Sequence, residues 1–376
     1  MNLSSIKYLI ILLHDYAASF CYYKSNNNSN NKLIDINILS KILKLVKKNN
    51  LYANFMYSSK ELPSGYKKII DKVNHLKYIP INSSSQYQYE KNVLLLNTEN
   101  IDLINNLKNY KNLNIILRLE KDKLKNIYDI FNSLLGKFKR LNLSLLDIPE
   151  YKENDFDIYK EQLEKIGNIL IKEYKNANPI EINVLSDRIF LNQMNNCNAG
   201  IDHITLAPNG KFYICPGFYY DDINDSIGDL KKGISIKNSK FLNLDHATIC
   251  KICDAYHCKR CIWLNKKLTQ EINTPSHQQC VLSHIEREIS KNILKELHNT
   301  PNFNDFNNKS IPEIDYNDPL QVITGEAKGI IKNNISHIKQ VNLHERDLDK
   351  YLHKLSTEDL LDEIYKVQKE ILKKIS

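Results

Sequence analysis

No stretch of this 376-residue chain approaches the ~20 consecutive apolar residues that a membrane-spanning helix needs. Its first apolar run, IKYLIILLHD, ends at His14-Asp15 after about eight residues, the low end for the core of a signal peptide. The following ASFC, ending at Cys21, lacks the small residue expected beside a processed cysteine. A buried first strand accounts for the run better. The chain is therefore expected in the cytoplasm, with no membrane partner, where thiols stay reduced. An arginine-rich stripe interleaved with aromatic residues is also missing. The net charge of +8 is spread along the chain as a solvated surface, which argues against a nucleic-acid groove. Glycine (10 residues) and alanine are scarce, whereas Asn, Lys and Ile abound. That pattern reads as codon bias, so single lysines carry little information.

What is present fits a globular protein: 42% apolar and 26% charged residues, in a chain long enough for two domains. From residue 6 to about 187, short apolar runs alternate with amphipathic stretches. The strand-like runs are YLIILL, LYANFMY, LKYIPI, NVLLLN, LNIILRL, RLNLSLL and IEINVL. Between them lie INILSKILKLVKKNN, SGYKKIIDKVN, ENIDLINNLKNY, DKLKNIYDIFNSLLG and DIYKEQLEKIGNILIKEY. The last of these sets Leu163, Ile166, Leu170 and Tyr174 on one helical face. Continuous apolar strands separated by helices predict an α/β fold with a parallel sheet, as a partial or complete βα-barrel over residues 1–190.

Functional groups of such folds gather at the carboxyl ends of the strands. Those ends supply His14, Asp15, Glu120 and Asp147 as candidate catalytic residues, with Asn97 and Asp187 completing a polar mouth. Each has the bland alternative of a turn or helix cap. KSNNNSNNK at 24–32 reads as a polar loop after the first strand. A small cysteine-rich domain is expected over 191–290, then a linker and helical extension over 291–376. In that extension Ser356 and Asp359 resemble a capping box, ahead of an apolar stripe of Leu360, Ile364, Val367 and Ile371.

Seven of the eight cysteines lie between 197 and 280. Cys197 and Cys215 frame C-x12-G-x4-C around Gly210, and PNG predicts a hairpin between HITLA and KFYIC that draws those two thiols together. Cys250, Cys253, Cys258 and Cys261 form C-x2-C-x4-C-x2-C, and Cys280 follows eighteen residues later. Such thiols in a reducing compartment point to metal. A zinc ribbon separates its two knuckles by about 15–20 residues, where this chain has only DAYH. Seven cysteines are also one short of two all-cysteine zinc sites, unless His203, His246, His257 or His277 fills in. Iron–sulfur cubes, with irons at separated corners, suit tight clusters completed by a distant cysteine. Two [4Fe–4S] clusters are expected, with zinc as the alternative.

This pattern resembles the SPASM domain, the C-terminal extension of radical SAM enzymes that modify peptides. The family quartet is usually C-x2-C-x5-C-x3-C, one residue longer in each of the last two spacers. The resemblance implies that Cys250, Cys253, Cys258 and Cys280 hold an outer cluster and that Cys197, Cys215 and Cys261 hold an inner one. One inner place is left for a side chain, solvent or a substrate thiolate. A radical SAM barrel also carries C-x3-C-x2-C after its first strand. Here that loop reads HDYAASFCYY, in which Cys21 alone reads as a small buried hydrophobe. The Gly-Gly-Glu-Pro segment is replaced by YSSKELPSGY. Radical chemistry on S-adenosylmethionine is therefore not expected.

KYLIILLHDYAASFCYY and CNAGIDHITLAPNGKFYICPGFYY together are similar to the CXXX repeat peptide maturases. That resemblance implies maturation of a ribosomally made Cys-repeat precursor peptide, bound near the clusters. The alternatives are a non-catalytic partner passing electrons or presenting the peptide to a separate modifying enzyme, and a zinc-stabilised binding module.

Overall fold

The computed structural model describes residues 5–25, 32–86, 92–107 and 111–298. The apolar runs pair in parallel, in chain order: β1 (Tyr8–Leu12), β2 (Tyr52–Met56), β3 (His75–Pro80), β4 (Val93–Asn97), β5 (Leu113–Leu119), β6 (Phe138–Leu145) and β7 (Glu181–Ile182). The chain then returns to the free side of β1. There β8 (His203–Leu206) pairs in parallel with β1, and β9 (Lys211–Tyr213), β10 (Gly228–Asp229) and β11 (Gly233–Ile234) extend the sheet antiparallel. Among the described residues β7 and β11 are its edges. The barrel is partial.

Side chains alternate across a strand, and β1 and β2 use both faces. Leu9, Ile11, Ala53 and Phe55 join one core with Leu39, Ile42, Leu43 and Val46 of α1 (Ile36–Lys48) and with Tyr66 and Ile70 of α2 (Ser64–Ile70). Asp35 starts α1, its carboxylate accepting from the N–H groups of Asn37 (2.9 Å) and Ile38 (3.0 Å). Offset by one residue, Ile10, Asn54 and Met56 face an interior cavity instead. That cavity also touches Tyr78 of β3, Ile116 of β5 and Asn142 of β6. Six strands spaced ~4.8 Å apart span about 24 Å, so one cavity reaches all of them only because the sheet curves around it.

A second core joins β4–β6 to α3 (Ile127–Leu134), α4 (Glu153–Lys175), α5 (Asn183–Phe190), α6 (Pro216–Asp221), α7 (Ile262–Thr269) and α8 (His277–Leu297). The predicted α4 stripe of Leu163, Ile166, Leu170 and Tyr174 is buried in it. Two expectations change. The IEINVL run gives only two strand residues, because Asn183 makes the ladder bonds with its side chain: its amide oxygen accepts from Leu143 N–H (2.7 Å) and its NH2 donates to Leu143 C=O (3.0 Å). Ser186 donates to the Ile182 carbonyl (2.8 Å), and the backbone turns into α5 at once. ENIDLINNL forms 3-10 turns over Thr98–Leu107 with a kink at Asn100, rather than an α-helix.

The PNG turn forms as expected, with Gly210 at φ +80° and Thr205 opposite Tyr213. Both strands come from the cysteine-rich part, yet they extend the same sheet as β1. Among the described residues no helix is long and apolar enough to cross a membrane. The expected C-terminal helix and its Ser356 cap lie outside the described residues.

Candidate functional site

The cavity has a volume of about 480 Å³ and is lined by the cysteine-rich segment and α8 as well as by the sheet. Cys21, Cys197, Cys258 and Cys261 all line it. None of the eight cysteines is disulfide-bonded.

By which thiols act electrostatically on one another, the eight group into two fours. Cys21, Cys197, Cys215 and Cys261 form one, in which each thiol lies within electrostatic reach of the other three. Burial, then the charge of Cys197, pushes Cys21 up to about 12. Burial, then neighbouring thiolates, raises Cys215 and Cys261 well above the ordinary thiol value. The second set is Cys250, Cys253, Cys258 and Cys280. Burial, then the charge of Cys253, lifts Cys250 to about 11, while burial followed by Cys250 and Cys253 lifts Cys280 to about 12. Cys258 is raised by burial, partly opposed by the neighbouring Ser283 hydroxyl.

Local structure positions each sulfur. Cys215 and Cys261 immediately precede α6 and α7, and Cys280 sits in the first turn of α8, opened by a Ser276–Gln279 capping box. Gly217 gives α6 its close approach to α7, since a Cβ there would lie 2.6 Å from the Trp263 ring. The cysteine loop is fastened by Asp254, 1% exposed, which pairs with Arg188 of α5 (3.3 Å) and Arg287 of α8 (2.8 Å). Beside it His257 lies 3.0 Å from Glu286, whose other oxygen accepts from Tyr159 (2.6 Å).

Arg260, 2% exposed, is within electrostatic reach of Cys197 and Cys261 in the first set and of Cys250 in the second. It donates to Asn196 (2.9 Å), Asn273 and the Leu242 carbonyl. Arg260 is thus a buried cation beside thiols of both sets. Nothing in the motif marks Arg260. Arg118, by contrast, is a charge inside the apolar run LNIILRL, and that signal is legible.

The polar mouth assembles differently. Asp15 accepts from Tyr219 (2.6 Å) and from the Lys32 N–H (3.1 Å). His14 packs on Tyr16 with ring centroids 3.7 Å apart. Glu120 accepts from Thr98, and Asn97 accepts from Arg118 at 3.5 Å. Asp187 lies in α5 and is bound through both oxygens by Arg140 (2.8 Å). Asp147 pairs with Lys24 (2.9 Å) and lines a separate cavity of about 440 Å³. These residues do not line the thiol-bearing cavity, whose polar groups include Asn54, Asn142, Ser144, Asn183 and His203.

No family model matches the sequence, and no curated protein matches it. Solved structures do. Native anSMEcpe with bound AdoMet and Kp18Cys peptide matches 80% of this chain and 100% of its own, at TM-score 0.52 and 13% identity. The form with AdoMet and Cp18Cys peptide covers 80% and 99% at TM-score 0.51 and 13% identity. Hexahistidine-tagged anSMEcpe with bound AdoMet covers 77% and 98%, again at 0.51 and 13%. Identities this low speak of fold alone. The mixed α/β architecture with its large parallel sheet is consistent with the radical SAM-like fold expected from the sequence.

Among the described residues no three or more His, Cys, Asp or Glu side chains gather as a site for one metal ion.

Proposed function

We propose that this chain is an iron–sulfur protein taking part in the post-translational maturation of a ribosomally made, cysteine-repeat peptide. The observation that carries this reading is that thiols of both sets, Cys21, Cys197 and Cys261 from one and Cys258 from the other, line one cavity, inside a fold shared with a protein solved with bound peptide. Cys250, Cys253, Cys258 and Cys280 would hold the outer [4Fe–4S] cluster, and Cys197, Cys215 and Cys261 belong to the inner one. Such clusters, when bound, supply one-electron transfer. The protein's own residues do the rest. Arg260 offsets cluster charge, Asp254 holds the cysteine loop against α5 and α8, and Asn54 and Asn142 offer amides to an extended peptide backbone.

The neighbouring protein binds AdoMet, but in this chain the loop after β1 holds Cys21 alone, and one thiolate does not hold a cube. A separate enzyme supplying the modifying chemistry fits that loop, with this protein presenting the peptide or relaying electrons.

Anaerobic purification tests the reading. About eight irons and eight sulfides per chain are expected, with broad absorbance near ~400 nm. A colourless protein holding one tightly bound zinc refutes it. Incubation of the reduced protein with a Cys-repeat peptide, with and without a second enzyme, followed by mass measurement, separates maturase from partner.

A further inference from the structure

Four thiols from widely separated places in the chain converge beside the cavity, and one of them belongs to no cysteine motif. Cys21 lies 176 residues before Cys197 (197 − 21), in the loop after β1. We propose that Cys21 is the fourth protein ligand of the inner cluster, so that a single cofactor ties the first-strand loop to the cysteine-rich segment. This deepens the iron–sulfur reading above and rests on it.

Three structural observations support the assignment. Cys21 lines the same cavity as Cys197 and Cys261, and it stands within reach of Cys215 as well. Cys21 packs against the apolar core as a small hydrophobe would, but three further thiols also stand within its electrostatic reach. Backbone N–H groups of the turn that follows also lie beside each of the four sulfurs: those of Tyr22 and Tyr23 by Cys21, of Ala199 by Cys197, of Gly217 and Phe218 by Cys215, and of Leu264 by Cys261. N–H groups beside all four sulfurs suit thiolates holding a cluster, whose potential hydrogen bonds tune. Finally, the Cys21 loop is fixed from across the sheet. Arg118 of β5 donates to the carbonyls of Cys21 (3.1 Å) and Tyr23 (2.9 Å), and Phe20 packs on Tyr78 of β3 with centroids 5.5 Å apart. The loop is preorganised with its thiol at the set.

On cluster binding the four thiols release their protons to solvent and each binds one iron. With Cys21 as a ligand, no iron of the inner cluster would be left open to a substrate thiol, and recognition of a peptide would fall to the cavity walls.

The test compares wild-type protein with Cys21→Ala and Cys21→Ser, all prepared anaerobically, by iron and sulfide content, Mössbauer spectra and electron paramagnetic resonance. Cys250→Ala marks the other cluster. In Cys21→Ala we expect either loss of about four irons, or retention of the inner cluster with one distinct iron whose signal shifts when 2-mercaptoethanol is added. The wild-type inner signal should ignore that thiol. An intact outer-cluster signal shows that the variant has folded. Unchanged iron content and spectra in Cys21→Ala, or a wild-type inner cluster that binds 2-mercaptoethanol, overturns the proposal.

Should the variants fail to fold, iodoacetamide labelling of the wild type decides. Cys21 should be protected in the holoprotein and exposed in step with Cys197 as a chelator strips the iron, whereas labelling of Cys21 in intact holoprotein overturns the assignment. Wild-type protein without iron sinks the broader reading instead.

Discussion

Replacing Asp254 by alanine removes the carboxylate that faces two buried guanidinium groups. Arg188 and Asp254 are each 1% exposed and paired at 3.3 Å, so water does not take over when the partner is lost. Arg188 keeps its bond to the Asp254 carbonyl (3.0 Å), and Arg287, paired at 2.8 Å, keeps Glu288 at 3.1 Å. Only the Arg188 pair therefore counts in full, and breaking one buried pair from one side costs about 3–5 kcal/mol. With a urea m-value of about 3 kcal/mol/M, the unfolding midpoint falls by about 1 to 1.7 M. Far-ultraviolet circular dichroism of anaerobic protein measures it. Asp254→Asn, which keeps the shape and loses the charge, should lie between wild type and alanine. A midpoint shift below about 0.3 M for Asp254→Ala would refute the view that this carboxylate fastens the cysteine loop.

Arg118→Met removes the donors to the Cys21 and Tyr23 carbonyls and should destabilise by about 1–3 kcal/mol; in iron-free protein it should also speed alkylation of Cys21, read by peptide mass. Gly217→Ala drives a Cβ to 2.6 Å from Trp263 and should cost about 1–3 kcal/mol, seen as a lower urea midpoint. His203 gives a pH dependence. Burial, partly opposed by Asp202, lowers its pKa from 6.5 to about 4. The unfolded chain therefore takes up a proton near 6.5 that the folded chain refuses until about 4. Stability falls as pH drops through that window, by at most about 3 kcal/mol, and levels off below it. His203→Phe, which keeps the ring stacked on Tyr8 at 4.7 Å, should flatten that part of the pH profile, and an unchanged slope would contradict the assignment.

Local signals carried much of the fold. The apolar runs became strands because side-chain period and backbone ladder agree there, and PNG turned because Gly210 tolerates φ +80°. Leu163, Ile166, Leu170 and Tyr174 made a helix face for the same local reason. IEINVL misled because Asn183 substitutes for a strand with its own amide, a bond to Leu143 forty residues away (183 − 143) that no window reveals. The carboxyl-end residues were located, but their partners were not. Arg140 claims Asp187, Tyr219 claims Asp15, and both partners arrive from other elements.

The cysteine spacing alone pointed to metal, since thiol identity and short separations are properties of the chain itself. How eight thiols divide is a different kind of fact. Cys21 reads as a lone apolar residue until β8 docks beside β1, the first-strand loop folds inward, and Arg118 clamps it there. Chain connectivity sets which thiols are neighbours within a motif. Only the closing of the curved sheet by the cysteine-rich segment sets which thiols share a space, because that grouping depends on packing between parts of the chain that carry no record of one another.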